Sequence, residues 1–386
     1  MKRTNKIIIY SLILVLFFSF NISAGTQDFS PDFFRKLADV VNEKPEIEVP
    51  DYRLLELDNG MKFYLAQDKS LPIFEVRAYI EGGKIDEDKD NAGITSLMTE
   101  LMLLETENYS ESELSLFKEI NALSLNLTAA SDRISLSGNS LAAESSELLS
   151  LLAEILRRPK FEGDHFERTV KESQQFYRQQ FYNDSALLNM YFFKNLYGDH
   201  PYGYNNNYNL ILDFLEGVKS ADVNDFYQKI INPEDIVIAV SGDFEFEDLE
   251  KELRKSFSDW ENNEEKLNRE YVNVNPKLHQ KIIVVNKADA TQANMRMGYN
   301  FYSSKYPKRI PFMMGNRIFG SGSFNSRLME NLRSDKGYVY GTNAQTRYND
   351  YGGAYFINLS LEPEKALAGI KAVREEMLKI KEEKEP

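Results

Sequence analysis

Apolar residues Ile94, Leu97, Met98, Leu101 and Leu104 recur at helical spacing in the run AGITSLMTELMLLET, residues 92–106. That period predicts a helix packed into a core. Ser96, Thr99 and Glu100 fall at i, i+3 and i+4 and so share one face of it. Just upstream, residues 73–80 read as a strand and Glu81-Gly82-Gly83 as a turn. Just downstream, Ser110 with Glu113 reads as a capping box that opens a second helix.

The same patterns extend in both directions. Residues 54–65 contain Asp58-Asn59-Gly60-Met61 between apolar runs, which predicts a tight hairpin. Leu125, Leu127, Ile134 and Leu136 alternate with polar residues and predict two antiparallel strands. Helices are expected at 142–157, at 164–181 (opened by Asp164 with Glu167 three residues on), at 220–229 and at 245–257, with a buried strand at 235–241. Residues 260–276, rich in Asn and Glu, are the best linker, and a domain boundary is drawn at 263–276. Beyond it come the apolar run Lys281-Ile282-Ile283-Val284-Val285, a strand at 293–301, helices at 311–319 and 324–333, strands at 338–347 and 353–361, and a final helix from Glu362. The pattern is α+β.

Composition narrows the setting. Residues 1–24 carry Lys2, Arg3 and Lys6, then an apolar stretch at 7–20 and a small-residue exit, the pattern of a cleaved signal peptide. Residues 25–50 read as a lead-in arm. The expected location is a bacterial periplasm or the exterior. The chain has no cysteine, which excludes disulfides and thiol catalysis. Its net charge of −14 argues against nucleic acid and against anionic membrane surfaces.

Residues 92–106 resemble the first zinc helix of the pitrilysin/insulinase family of metallopeptidases, in which active members carry H-x-x-E-H inside a segment like AGLAHLLEHMLFKGT. Ala92, Gly93, Ile94, Leu97, Met98, Leu101, Met102 and Thr106 fit that pattern. The chemical positions do not: Ser96, Thr99 and Glu100 stand where the family has His, Glu and His. A zinc peptidase needs neutral imidazoles one turn apart and a carboxylate to activate water. The family's third ligand, a glutamate roughly 75 residues on, falls by count on Gln174 or Gln175, and an amide is a poor zinc ligand. The three histidines, His165, His200 and His279, are too scattered to nominate another metal site.

Further matches are Asp199-His200-Pro201-Tyr202-Gly203, similar to a family H-P-Y-G loop, and residues 326–340, similar to the family segment S-R-L-F-Q-E-I-R-E-K-R-G-L-A-Y. The resemblance puts the family's substrate-holding arginine and tyrosine on Arg333 and Tyr340, and Tyr338 is expected on the same strand face as Tyr340. It also puts a thinned glycine-rich, substrate-contacting loop on Gly320, Ser321, Gly322 and Ser323. It implies two similar α/β sandwich domains, 51–262 and 277–386, each a mostly antiparallel sheet covered by helices, the second shorter than in the family. The implied role is a non-catalytic subunit that binds peptide and lends Arg333 and Tyr340 to a partner chain. That catalytic partner would hold the zinc, with no cofactor in this chain. The alternative is a stand-alone peptide-binding or scaffold protein on the same fold.

Overall fold

Two sheets carry the molecule, and the chain order of their strands is set by the alternating stretches just described. The computed structural model describes residues 50–263, 267, 269–277, 281–287, 290–322 and 324–382. The leader expected at 1–24, the arm at 25–49, His279 and Ser323 lie outside the described residues. Among these residues no helix is long and apolar enough to cross a membrane.

In the first part, β1 (Arg53–Glu56), β2 (Lys62–Gln67) and β3 (Ile73–Glu81) precede α1 (Ile94–Leu101) and α2 (Glu111–Ile120). Then come β4 (Ser124–Ala129), β5 (Arg133–Leu141) and α3 (Ser145–Arg157). Four more helices follow: α4 (Asp164–Gln180), α5 (Asp184–Tyr197), α6 (Tyr208–Gly217) and α7 (Ser220–Ile230). Strand β6 (Ile236–Gly242) and α8 (Phe246–Phe257) complete this part. The six strands form one sheet in the order β1-β2-β6-β3-β5-β4, antiparallel except for the β2–β6 pair. Alternate residues of β3 and β5 point into the core, where Phe74, Ala78 and Ile134 are fully buried.

The second part holds β7 (Ala293–Phe301), α9 (Arg309–Asn316), β8 (Val339–Asn349), β9 (Gly352–Leu361) and α10 (Ala366–Glu382). Its sheet has the order β7-β9-β8, all antiparallel. This repeats β3-β5-β4: a nine-residue strand, then helices, then an antiparallel pair, then a helix. In the first sheet β6 lies against the outer edge of β3 and joins it to β2. No counterpart of β6 is present among the described residues. Lys281-Ile282-Ile283-Val284-Val285 accordingly does not form a sheet strand, and Ile282 and Val284 are 90% and 84% exposed.

The Asn-Gly hairpin closes tightly beyond the Glu56–Lys62 pair: the Leu57 N–H donates to the Met61 carbonyl (3.0 Å) and the Gly60 N–H to the Leu57 carbonyl (2.9 Å), with Gly60 at φ 91. The Asn59 amide ties this turn to the carbonyls of Phe257 and Trp260 at the end of α8. Other local expectations change. Helix α4 starts after Gly163, at φ 112, rather than in an Asp164–Glu167 box. Helices α5 and α6 have no counterpart among the expected elements. The capping box at Ser110 and Glu113 is present.

A polar clamp joins the two parts. Tyr202, buried in the single helical turn Pro201–Tyr204, donates its hydroxyl to Asp132 in the β4–β5 turn. Asp132 also accepts from the Asp350 N–H (2.8 Å) in the β8–β9 turn, and the Tyr351 N–H donates to Tyr202 Oη (3.2 Å). The His200 ring meets the Val272 carbonyl at 3.0 Å, so the H-P-Y-G segment grips the linker as well. Orphaning buried partners costs about 1–3 kcal/mol. Asp132→Ala should therefore lower the urea unfolding free energy by about that much, with Asp132→Asn losing less, and a wild-type midpoint for Asp132→Ala would contradict the clamp.

Candidate functional site

Helix α1 lies across the first sheet with Met98, Leu101 and Met102 fully buried. Its start is fixed by Glu87, a carboxylate 3% exposed that accepts from the N–H groups of Gly93 (2.8 Å) and Thr95 (3.1 Å). An anion there meets the free N–H groups of the first turn. Gly93 is the N-cap at φ 101, a conformation that side chains resist, and a Cβ there would meet Ile211 at 2.9 Å. Burial pushes the Glu87 carboxyl up to about 7, against the opposing pull of Lys84 and the two N–H donors.

The face carrying Ser96, Thr99 and Glu100 turns away from the core. Ser96 is half-buried and Glu100 exposed. Thr99 is buried, and its hydroxyl donates to the Ser96 carbonyl (3.0 Å), so it serves the helix itself. Ser96 and Glu100 line two cavities. One of about 330 Å³ lies against α4 and also meets Glu172, Ser173, Phe176 and Tyr177. The other, about 440 Å³, lies against β4 and meets Asn126 and Thr128. Because β4 ends the sheet, its outer backbone edge borders this second cavity.

Helix α4 thus presents Glu172, Ser173 and Tyr177 to α1, whereas counting along the sequence points to Gln174 and Gln175. At 100° per residue those two turn aside: Gln174 donates its amide to the Leu215 carbonyl (2.7 Å), and Gln175 is exposed. Partial desolvation of its carboxyl against α4, then the Glu172 charge, raises the otherwise exposed Glu100, and a hydrogen bond with Ser173 lowers it. Burial raises Tyr177 to about 12, with a hydrogen bond to Ser96 opposing. The sequence alone singles out none of Glu172, Ser173, Tyr177 and Glu87. Only the helical phase of α4 relative to α1 reveals the first three, and no motif marks Glu87.

This donor set does not fit zinc. It offers no imidazole, and among the described residues no group of three or more His, Asp or Glu converges. Two repelling carboxylates with hydroxyls between them suit hydrogen bonding, and they suit a cationic group better than an anion.

In the second part, Arg333 is exposed and lies within a π-helical turn (Glu330–Asp335), and its guanidinium lies 5.2 Å from the centroid of the Phe324 ring. Tyr340 is 56% exposed and sits where the β8–β9 register shifts between Val339 and Gly341. A bulge of this kind re-aims one side chain. It also breaks the alternation that would put Tyr338 on the same face: Tyr338 precedes the strand and packs against the second core. Gly320 is buried in a π-helical turn (Arg317–Ser321), where a Cβ would meet Ala344 and Leu328 at 2.7 Å, so close packing accounts for it. Ser321 is exposed and Gly322 half-buried; Ser323 is outside the described residues.

The model for insulinase (peptidase family M16) matches residues 62–206, and that for the peptidase M16 inactive domain matches residues 217–385. The chain belongs to the insulinase family. Its fold is shared with a peptidase M16 inactive domain from Pseudomonas fluorescens at 21% identity and a TM-score of 0.76, covering 87% of this chain and 80% of that one. It is shared too with a protease from Helicobacter pylori at 18% identity and a TM-score of 0.79, covering 88% and 82%. No curated protein matches the chain. Within the insulinase family this chain keeps the packing side of the helix and not the zinc-ligand side.

Glu87 supplies a pH test. Its folded value, about 7, lies above the ordinary 4.5, so the folded state binds the proton more tightly. The stability it contributes is fully present below pH 4.5 and lost as pH rises to about 7. Chemical unfolding should lose up to about 3 kcal/mol across that window, and Glu87→Gln should flatten the dependence. An unchanged slope in Glu87→Gln would refute the assignment.

Proposed function

We propose that this chain is the non-catalytic half of an exported insulinase-family peptidase pair. It closes the chamber, holds peptide, and presents Arg333 and Tyr340 to the site of a partner chain that carries the zinc and the H-x-x-E-H motif. Export rests on the leader pattern at 1–24. The observation that carries the reading is Tyr340, a bulged residue 56% exposed in a chain whose described residues bring no group of three or more His, Asp or Glu together. A phenol and a planar, permanently charged guanidinium are suited to stabilising negative charge on a scissile carbonyl.

Peptide is held by the edge of β4. An extended segment laid there gains main-chain hydrogen bonds and places its side chains toward the cavities around Ser96 and Glu100. The net charge of −14 and the Glu100–Glu172 pair favour cationic peptides. Ser321 and Gly322 extend the contact surface of the second part.

The test is peptide cleavage by the reconstituted pair. Removing one such donor costs about 10²–10³ in kcat. Tyr340→Phe should show that loss with the complex still formed, whereas Tyr182→Phe, 81% exposed on another element, should not. Arg333→Lys keeps the charge, loses the fork, and should also slow turnover. If Tyr340→Phe turns over at the wild-type rate, the trans-acting role is wrong and the stand-alone binder is the better reading.

A further inference from the structure

Helix α5 covers one face of the second sheet, and two arginines lie between them. Arg296 on β7 donates to Asn358 Oδ1 (2.8 Å) and Asn189 Oδ1 (3.0 Å), with its guanidinium 4.4 Å from the Phe356 ring centroid. Arg347 on β8 lies 4.3 Å from the centroid of Phe193, the same ring that Arg296 approaches at 5.6 Å. Among the described residues neither guanidinium has a carboxylate within ion-pair distance, and none accepts a hydrogen bond from Arg347. Burial, then the Arg347 charge, pulls Arg296 down to about 10, and burial lowers Arg347 too, yet both stay cationic at neutral pH.

A third group is unsatisfied. Tyr197, stacked on Phe193 at 5.9 Å, is 7% exposed, and its hydroxyl has no hydrogen-bond partner among the described residues. Tyr197 and Arg347 thus share the ring of Phe193, and burial raises the neutral Tyr197 hydroxyl while the Arg347 charge opposes that rise. The carboxylate that acts on it, Asp132, is occupied by Tyr202 Oη and the Asp350 N–H. Two like charges half-buried without a counter-ion, beside an orphaned donor, are costly unless an anion completes them.

We propose that Arg347 and Tyr197 Oη, with Arg296 adding charge, form a binding site for one oxyanion, a carboxylate or phosphate, at the junction of α5 and the second sheet. The guanidinium fork supplies paired N–H donors, the phenol a third, and the rings of Phe193 and Phe356 hold both arginines in place. The site is distinct from the cavities beside α1 and does not depend on a partner subunit.

Thermal unfolding and calorimetry of the full chain test this with three probes: inorganic phosphate, a short peptide with a free α-carboxylate, and the same peptide amidated. Saturable stabilisation is expected from phosphate, the free-acid peptide or both, and none from the amide. Phosphate alone would assign a free-anion site, and the acid peptide alone would assign a terminal-carboxylate site. Arg347→Gln and Tyr197→Phe should weaken binding roughly tenfold or more, while Arg374→Gln, on the exposed side of α10, should not. Tyr197→Phe should also unfold no more easily than wild type in anion-free buffer, because it removes an orphan, which keeps the test valid if Arg347→Gln fails to fold. Absence of saturable stabilisation by any probe, or equal affinity in Tyr197→Phe and wild type, would overturn the proposal.

Discussion

The hold of Glu87 on the first turn of α1 is the constraint on which the site depends. One buried carboxylate accepts from the N–H groups of Gly93 and Thr95, and the Glu87 carbonyl in turn accepts from Tyr204 Oη. The start of α1 is thereby tied to the sheet on one side and to the segment that follows Pro201 on the other. Met98, Leu101 and Met102 then seal the helix into the core by burial alone. None of these interactions uses Ser96, Thr99 or Glu100 as a ligand, and none requires a metal. The helix can lose its imidazoles and keep its place, which is how an insulinase scaffold persists around a site with different chemistry.

The same economy holds at the junction of the two parts. The H-P-Y-G segment, placed in the sequence only by family resemblance, is a mechanical joint: Tyr202, Asp132 and the Asp350 and Tyr351 N–H groups close a polar knot that ties two hairpin turns to one helical turn. His200 completes it through Val272. Alongside, α5 gives the second sheet an aromatic cover, with Phe192 and Phe193 against Phe356. Domain pairing here rests on directed hydrogen bonds and on tilted and edge-on ring contacts, and the two half-buried arginines sit within that cover.

Much of this was legible in the residues. Alternation located β4 and β5, strand-like runs located β3, β7 and β9, and the Ser110–Glu113 box marked the start of α2, because those signals are local. The loss of the histidines was legible as well, being a matter of identity. What was hidden depends on relative placement. The phase of α4 decides that Glu172 and Ser173, not Gln174 or Gln175, face Glu100. The bulge at Tyr340 and the close packing at Gly320 are set by partner strands and cannot be read from one segment. Lys281-Ile282-Ile283-Val284-Val285 has strand composition but no neighbouring strand to pair with, so propensity alone misleads there.

On the proposed reading, this insulinase-fold site has exchanged metal chemistry for recognition by hydroxyls and carboxylates. Zinc stoichiometry tests it most directly: the chain is washed with chelator, re-exposed to one equivalent of zinc, and its bound metal counted together with its peptidase activity. The account predicts no stoichiometric zinc and no cleavage by the isolated chain. One tightly held zinc per chain, with activity rising in step, would contradict it.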